Sequence, residues 1–310
     1  MASAPWGEVK IPGAEGLNRT SRDVAGANRV EADAVALTVS KHEGTAALMS
    51  ETSSFTVHPA AQQGFTQQAE AYQRGRPGYP AGLQGWLRDT LGLGPGRTVA
   101  DVGAGTGKFC PLLLATGADV IAVEPVDAMR QRIAPHVRLR TQAGTAQSTG
   151  LTAASLDALV CAQAFHWFAT RAALDEFARV LRPGARLGLV WNVRDESVDW
   201  IAALTRIYTP YEGDAPRFHS GQWQRAFPHP AFGPLAETTF THEHVGPAEQ
   251  VIVDRVLSTS FIAALPADER GRVRARLEDL IATHPLLRGQ AEVRVPYTTR
   301  AFVCARTSGS

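Results

Sequence analysis

One short run limits what this chain can fold into more than any other: Val99-Ala100-Asp101-Val102 followed by Gly103-Ala104-Gly105-Thr106-Gly107. An apolar block suited to a buried strand runs straight into three alternating glycines, and a helix is predicted to open near Lys108. Glycines at such a junction let the backbone turn tightly and let a ligand lie against main-chain atoms that a Cβ would obstruct. The run therefore predicts a strand, loop and helix unit at the ligand-binding edge of an open sheet. Spacing excludes two phosphate-binding patterns. A dinucleotide fingerprint G-x-G-x-x-G would need glycine at 108, where the chain has Lys108. A phosphate loop G-x-x-x-x-G-K-[ST] would need glycine at 102 and a hydroxyl at 109, where it has Val102 and Phe109.

From Phe65 onward, short strand-like blocks alternate with longer amphipathic ones, the pattern of an α/β domain. Strands are predicted at Thr98–Val102, Asp119–Val123, Val137–Thr141, Leu156–Cys161 and Ala185–Trp191, several of them apolar on both faces as central parallel strands are. Leu174, Phe177, Ala178 and Leu181 share one face of a helix predicted over Ala172–Leu181, which Arg182-Pro183-Gly184 should end. Residues 98–194 thus read as a cofactor-binding core, preceded by an N-terminal lid and helix over 49–97. Residues 195–234 are polar, Pro-rich and aromatic and read as a substrate cap insertion. Residues 235–310 should complete the sheet, with a strand at Glu237–Val245, helices at Ala248–Ala264 and Asp268–Ala282, and a closing strand pair or one long strand over Glu292–Ala305. Arg270, Arg272, Arg274 and Arg276 fall mostly off the apolar face of the second helix, as a solvated face would have them. Residues 1–48 carry no aromatic after Trp6 and no sustained period, and are expected to form a disordered extension; a short functional arm is the alternative. Met49 opens M-S-E-T-S-S-F, which reads as a natural beginning.

Composition narrows the partners. With 31 Lys+Arg against 30 Asp+Glu there is no long-range field to attract a polyanion, so neither nucleic acid nor an acidic membrane is expected as a partner. No apolar stretch is long enough to span a bilayer. Cys110, Cys161 and Cys304 are far apart and form no C-x-x-C pair, which argues against a disulfide framework or a zinc site and for reduced thiols in a cytoplasm. No metal is expected.

The spacing that the loop does satisfy is acidic-x-Gly-x-Gly-x-Gly, and here the chain resembles the class I S-adenosylmethionine-dependent methyltransferases over nearly all of Phe65 to Arg306. The resemblance implies a Rossmann-like three-layer sandwich: a mostly parallel seven-stranded sheet with an antiparallel final strand, plus a helical cap or lid. It also implies S-adenosylmethionine as cofactor, with Asp101 near the methionine moiety and Gly103, Ala104, Gly105 and Gly107 passing beneath it. Glu124, in Val123-Glu124-Pro125, lies about twenty residues after the glycines, where a carboxylate can accept from both ribose hydroxyls. Met129, on the following helix, is a candidate to cover the adenine, with core packing as the alternative. In the family the turn Thr145-Ala146-Gln147 meets the adenine edge; many relatives are acidic where this chain has Gln147, which weakens that side chain's assignment but not the backbone's.

The end of the fourth strand, Cys161-Ala162-Gln163-Ala164-Phe165-His166-Trp167-Phe168, should face the crevice where ligands bind. Its F-H-W-F run is similar to that of a small-molecule branch, the ubiquinone-biosynthesis-type and trans-aconitate-type methyltransferases. Gln163, Ala164 and Trp167 are expected beside the cofactor. If the acceptor is a hydroxyl, thiol or amine, a base should remove its proton, and His166 is the candidate; a structural histidine beside the cofactor is the alternative. Relatives carry a lid sequence like the chain's Ala69-x-x-Tyr72 and Arg76-Pro77-Gly78-Tyr79-Pro80, so Tyr72, Arg76 and Tyr79 are lid or substrate candidates, with Arg76 suited to a carboxylate. Asn192 and Arg194 face the crevice by the same topology. The activity implied is transfer of a methyl group to a small-molecule acceptor by in-line displacement. Two other readings share the strand and glycine turn: an NAD(P)-dependent oxidoreductase and a non-catalytic binding protein.

Overall fold

The computed structural model describes residues 75–307. The strands are β1 (Thr98–Val102), β2 (Asp119–Val123), β3 (Leu139–Gln142), β4 (Leu156–Ala162), β5 (Leu181–Arg194), β6 (Ala236–Gly246) and β7 (Val293–Ala305). They form one sheet in the order β3-β2-β1-β4-β5-β7-β6. β1 to β5 pair in parallel, while β7 runs antiparallel between β5 and β6.

Alternation along the central strands sends side chains to two cores. In β4, Leu156, Leu159 and Cys161 join one, with Leu174 and Phe177 of α4 (Arg171–Val180). Ala158 and Val160 point the other way, to Leu83, Trp86 and Leu87 of the N-terminal helical turns and to Leu113. Those turns are α1 (Gly82–Gly85), which widens through Trp86–Thr90, and α2 (Cys110–Leu114) follows the glycine loop. α3 (Asp127–Arg130) follows β2. Helices cover both faces, as a parallel sheet requires.

A third cluster roofs the carboxyl edge of the parallel strands. β7 pairs Tyr297 with Arg194, so its start lies at that edge. Val293, Val295 and Tyr297 there pack with Trp200, Ile201 and Leu204 of α5 (Asp199–Tyr208) and with a wide helical turn, Glu249–Asp254. α6 (Arg255–Leu257), α7 (Ser260–Ala263) and α8 (Ala267–Thr283) complete the roof, α8 burying Val273 and Leu277.

Three elements differ from expectation. β3 starts at Leu139 rather than Val137, because His136 and Leu139 close a turn and leave Val137 95% exposed. Arg182-Pro183-Gly184 does not separate helix from strand but bulges within β5, the register passing from Leu156↔Leu181 to Ala158↔Arg186. The helix predicted over Ala248–Ala264 is broken: Ser258 Oγ donates to the Arg255 carbonyl at 2.9 Å, and Thr259 is extended (φ −71°, ψ 131°) before α7. The closing segment is a single strand.

Candidate functional site

The loops that follow β1, β2, β3 and β4 line one cavity at the carboxyl edge of the sheet. After β1 the backbone N–H groups of Gly103 and Ala104 both donate to the Val123 carbonyl, at 2.9 and 3.2 Å, which draws the loop against the end of β2. Gly103 has φ +75°, and a Cβ there would lie 2.7 Å from Ala164 Cβ, so the chain can turn at this point only as glycine. Ala104 and Gly105 continue the lining, while Gly107 is set back, leaving room for Ile133.

Two carboxylates stand in this cavity. Glu124 is 5% exposed and accepts from Gly105 N through Oε2 and from Val126 N through Oε1, both at 2.9 Å. Burial pushes its carboxyl up from the usual range, and these two donations pull the other way. Asp101 is 1% exposed; the Cys110 thiol donates to Oδ2 at 3.7 Å, and Oδ1 has no partner. Burial raises its carboxyl to about 7. Pro125 and Met129 follow on the β2 side, Met129 only 2% exposed. Thr145, Ala146 and Gln147 come from a tight turn in which Thr145 and Ser148 exchange backbone bonds of 3.0 and 3.2 Å. Gln163, Ala164 and Trp167 come from the end of β4, and Gln163 holds φ +60°, an uncommon conformation for a side-chain-bearing residue and one found where a site fixes the backbone.

Arg76, Tyr79 and Asn192 line the same cavity, whereas Tyr72 lies outside the described residues. Asn192 ties three segments together: its Nδ2 donates to the Gly78 carbonyl at 2.8 Å and its Oδ1 accepts from Thr299 Oγ1 at 2.6 Å. Arg76 donates to the Ser258 carbonyl at 3.4 Å, and Lys108 Nζ donates to the Arg76 carbonyl. Tyr79 meets Phe109 edge to face at 4.8 Å.

A second cavity adjoins the first and shares Arg76, Gln163, Trp167, Asn192 and Arg255 with it. His166 faces this second space from a short 3-10 turn, Phe165–Trp167. Its Nδ1 accepts from the Trp191 indole N–H at 3.0 Å, which fixes the neutral ring with its proton on Nε2. Burial, with Arg217, Arg76 and His219 nearby, lowers its pKa to about 3. This geometry favours the alternative expected for His166, a structural histidine: Nδ1 is occupied by the indole and Nε2 carries the proton.

Sequence reasoning missed Arg217, Arg255 and Tyr297, all in the second cavity. Arg217 sits in the segment between α5 and β6, Arg255 opens α6, and Tyr297 belongs to β7. No local spacing connects them to the glycine loop.

A methyltransferase-domain family model matches residues 100–189, from β1 to the middle of β5. The chain is 37% identical over 236 residues to an uncharacterised methyltransferase-like protein of Schizosaccharomyces pombe, covering 74% of this chain and 91% of that one. It is 38% identical over 242 residues to an uncharacterised methyltransferase of Mycobacterium tuberculosis, covering 77% and 92%. A solved structure of a type II methyltransferase candidate from Anaeromyxobacter dehalogenans superposes with a TM-score of 0.54 at 27% identity, covering 75% of this chain and 97% of that one. The fold is that of the methyltransferases, and the chain belongs to the class I S-adenosylmethionine-dependent methyltransferase family. Among the described residues no helix is long and apolar enough to cross a membrane.

Proposed function

We propose that the protein binds S-adenosylmethionine in the first cavity and transfers its methyl group to a small-molecule acceptor held in the second. The observation that carries this reading is Asp101 Oδ1, a buried carboxylate oxygen with no partner in a cavity floored by glycine backbone. A buried acceptor left unpaired is costly, and an ammonium group of an amino acid would satisfy it. Glu124 spends one lone pair of each oxygen on the protein backbone and keeps the others for ribose hydroxyls. Met129, Thr145, Ala146 and Gln147 line the wall suited to a flat base. S-adenosylmethionine supplies an electrophilic methyl on a sulfonium and leaves as S-adenosylhomocysteine.

The residues of the chain then have to align an acceptor and exclude water. Gln163, Trp167 and Asn192 line both cavities and form the junction where acceptor and methyl would meet. His166, held neutral by Trp191, offers an N–H rather than a base. The buried thiols of Cys110, Cys161 and Cys304, none of them in a disulfide, support a reducing, cytoplasmic setting. Calorimetry tests the reading: S-adenosylmethionine and S-adenosylhomocysteine should bind and NAD should not. Binding of NAD alone would overturn it.

A further inference from the structure

The strap of residues 76–79 borders the first cavity and is tied to the rest of the protein from several sides. Gly75 wedges its start against α6, where a Cβ would lie 2.6 Å from Arg255 N. Beyond that point Arg76, Pro77 and Tyr79 line the cavity that Asp101 and Glu124 also face. Two ties come from the residues just after the glycine loop: Lys108 Nζ donates to the Arg76 carbonyl, and Phe109 carries the Tyr79 ring. A third comes from β5, where Asn192 Nδ2 donates to the Gly78 carbonyl at 2.8 Å. That bond exists in only one orientation of the amide. A carbonyl accepts and does not donate, so the NH2 group has to face Gly78 and Oδ1 has to face away. The β-sheet supplies a donor for Oδ1. Thr299 of β7 stands directly opposite Asn192 in the β5–β7 pair, and its hydroxyl donates to Oδ1 at 2.6 Å. With its single proton committed there, Thr299 Oγ1 is an acceptor for His242 Nδ1, which lies 3.4 Å away on β6, diagonally across the β6–β7 pair. Burial lowers the pKa of His242 against the pull of the Gly78 carbonyl, and its Nε2 is buried with no partner, so the ring is neutral with its proton on Nδ1. The donations therefore all run one way, from His242 to Thr299, to Asn192, to the strap.

We propose that Thr299 is a positioning residue: it fixes the Asn192 amide in the orientation that latches the strap over the bound methyl donor, and so sets how fast the spent donor leaves. The inference rests on the methyltransferase reading above. Thr299 is fully buried and lines neither of the two cavities, so it acts on the donor through Asn192 and not by contact. Without its hydroxyl, Oδ1 loses its donor and the amide is free to rotate. A rotated amide sets Oδ1 against the Gly78 carbonyl, two acceptors face to face, and the strap is then held by the Lys108 and Phe109 ties while its β5 side opens. Loosening a segment that covers a ligand raises the rate at which the ligand escapes.

The test is the dissociation rate of S-adenosylhomocysteine from the immobilised full chain, read by surface plasmon resonance. Thr299→Val, which keeps the shape and removes the hydroxyl, should speed dissociation about tenfold, whereas Thr299→Ser, which keeps the donor, should stay within about twofold of the parent. Asn192→Leu should be about as fast as Thr299→Val, and the double variant no faster than the faster single one, because both residues act through one latch. Thermal unfolding without ligand reports whether each variant folds; should Thr299→Val fail to, Thr299→Ala, which removes the hydroxyl without adding bulk, takes its place with the same expectation. An unchanged rate in the Val or Leu variant, a Ser variant as fast as Val, or a double variant whose effect is the product of the two overturns the inference. If the parent chain does not bind S-adenosylhomocysteine, the methyltransferase reading fails and this inference falls with it.

Discussion

The two cavities share a wall and are built in opposite ways. The cofactor end is made of loops that each follow a strand, and its carboxylates, Asp101 and Glu124, sit within 25 residues of one another in the chain. The acceptor end takes Arg194, Arg217, Arg255 and Tyr297 from segments scattered over a hundred residues, held in place by the helical roof. One end holds two buried carboxylates, Glu124 fixed by backbone hydrogen bonds, in a cavity shaped by glycine; the other gathers arginines and is shaped by side chains. The contrast suits a scaffold whose cofactor chemistry stays constant while its acceptor varies, since the roof can be altered without touching the loops.

The largest expected effect tests the rigidity of the cofactor end. Gly103→Ala places a Cβ against Ala164 at positive φ, costing about 1–2 kcal/mol of backbone strain and roughly 1–3 kcal/mol of overpacking. Affinity for S-adenosylhomocysteine in calorimetry should fall at least a hundredfold, with partial recovery when Ala164→Gly is added. Normal binding by the single variant would remove the distinction between a glycine-shaped end and a side-chain-shaped one.

Glu124→Gln should come next. An amide has one oxygen where the carboxylate has two, so one of the Gly105 and Val126 bonds is lost. Charge-assisted bonds of this kind contribute about 1.5–3 kcal/mol, and the expected loss in S-adenosylhomocysteine affinity is roughly 10- to 100-fold.

Asp101 gives a smaller, pH-dependent effect. Its carboxyl titrates near 7 in the free protein, and an ammonium ligand would lower that value. Binding should therefore release a proton below pH 7, and affinity should rise severalfold between pH 6 and pH 8. Calorimetry in two buffers of different ionisation heat measures the release, which Asp101→Asn should abolish. The smallest effect expected is none: in NMR the His166 ring should show no titration between pH 5 and pH 8, because its pKa lies near 3. A midpoint near 6.5 would return His166 to the role of a base.

What could be read from the sequence follows the same division. β1, β2 and the glycine loop were legible because a strand buried on both faces and a turn needing positive φ leave local marks. Asp101, Glu124, Met129, the Thr145–Gln147 turn and Gln163 were legible because each lies at a fixed place in or after the end of its strand. Arg217 and Arg255 left no such mark: an arginine in a cap segment or a helical turn reads as solvated until tertiary packing folds it inward. The bulge at Arg182-Pro183-Gly184 was misread because proline and glycine mark a break in hydrogen bonding but not whether a strand resumes on both sides of it. Between the two roles open to His166 the sequence could not choose, since a residue type says nothing of which ring nitrogen a distant indole will occupy.

Asn192 carries a consequence in time as well as in space. It joins Gly78, 114 residues upstream, to Thr299, 107 residues downstream, through one amide. In synthesis the glycine loop and Glu124 precede β7 by well over a hundred residues, and the wall between the two cavities waits for that strand. A growing chain therefore has the glycine loop and both carboxylates of the first cavity well before it has Arg255 and the Thr299 that holds Asn192 in place.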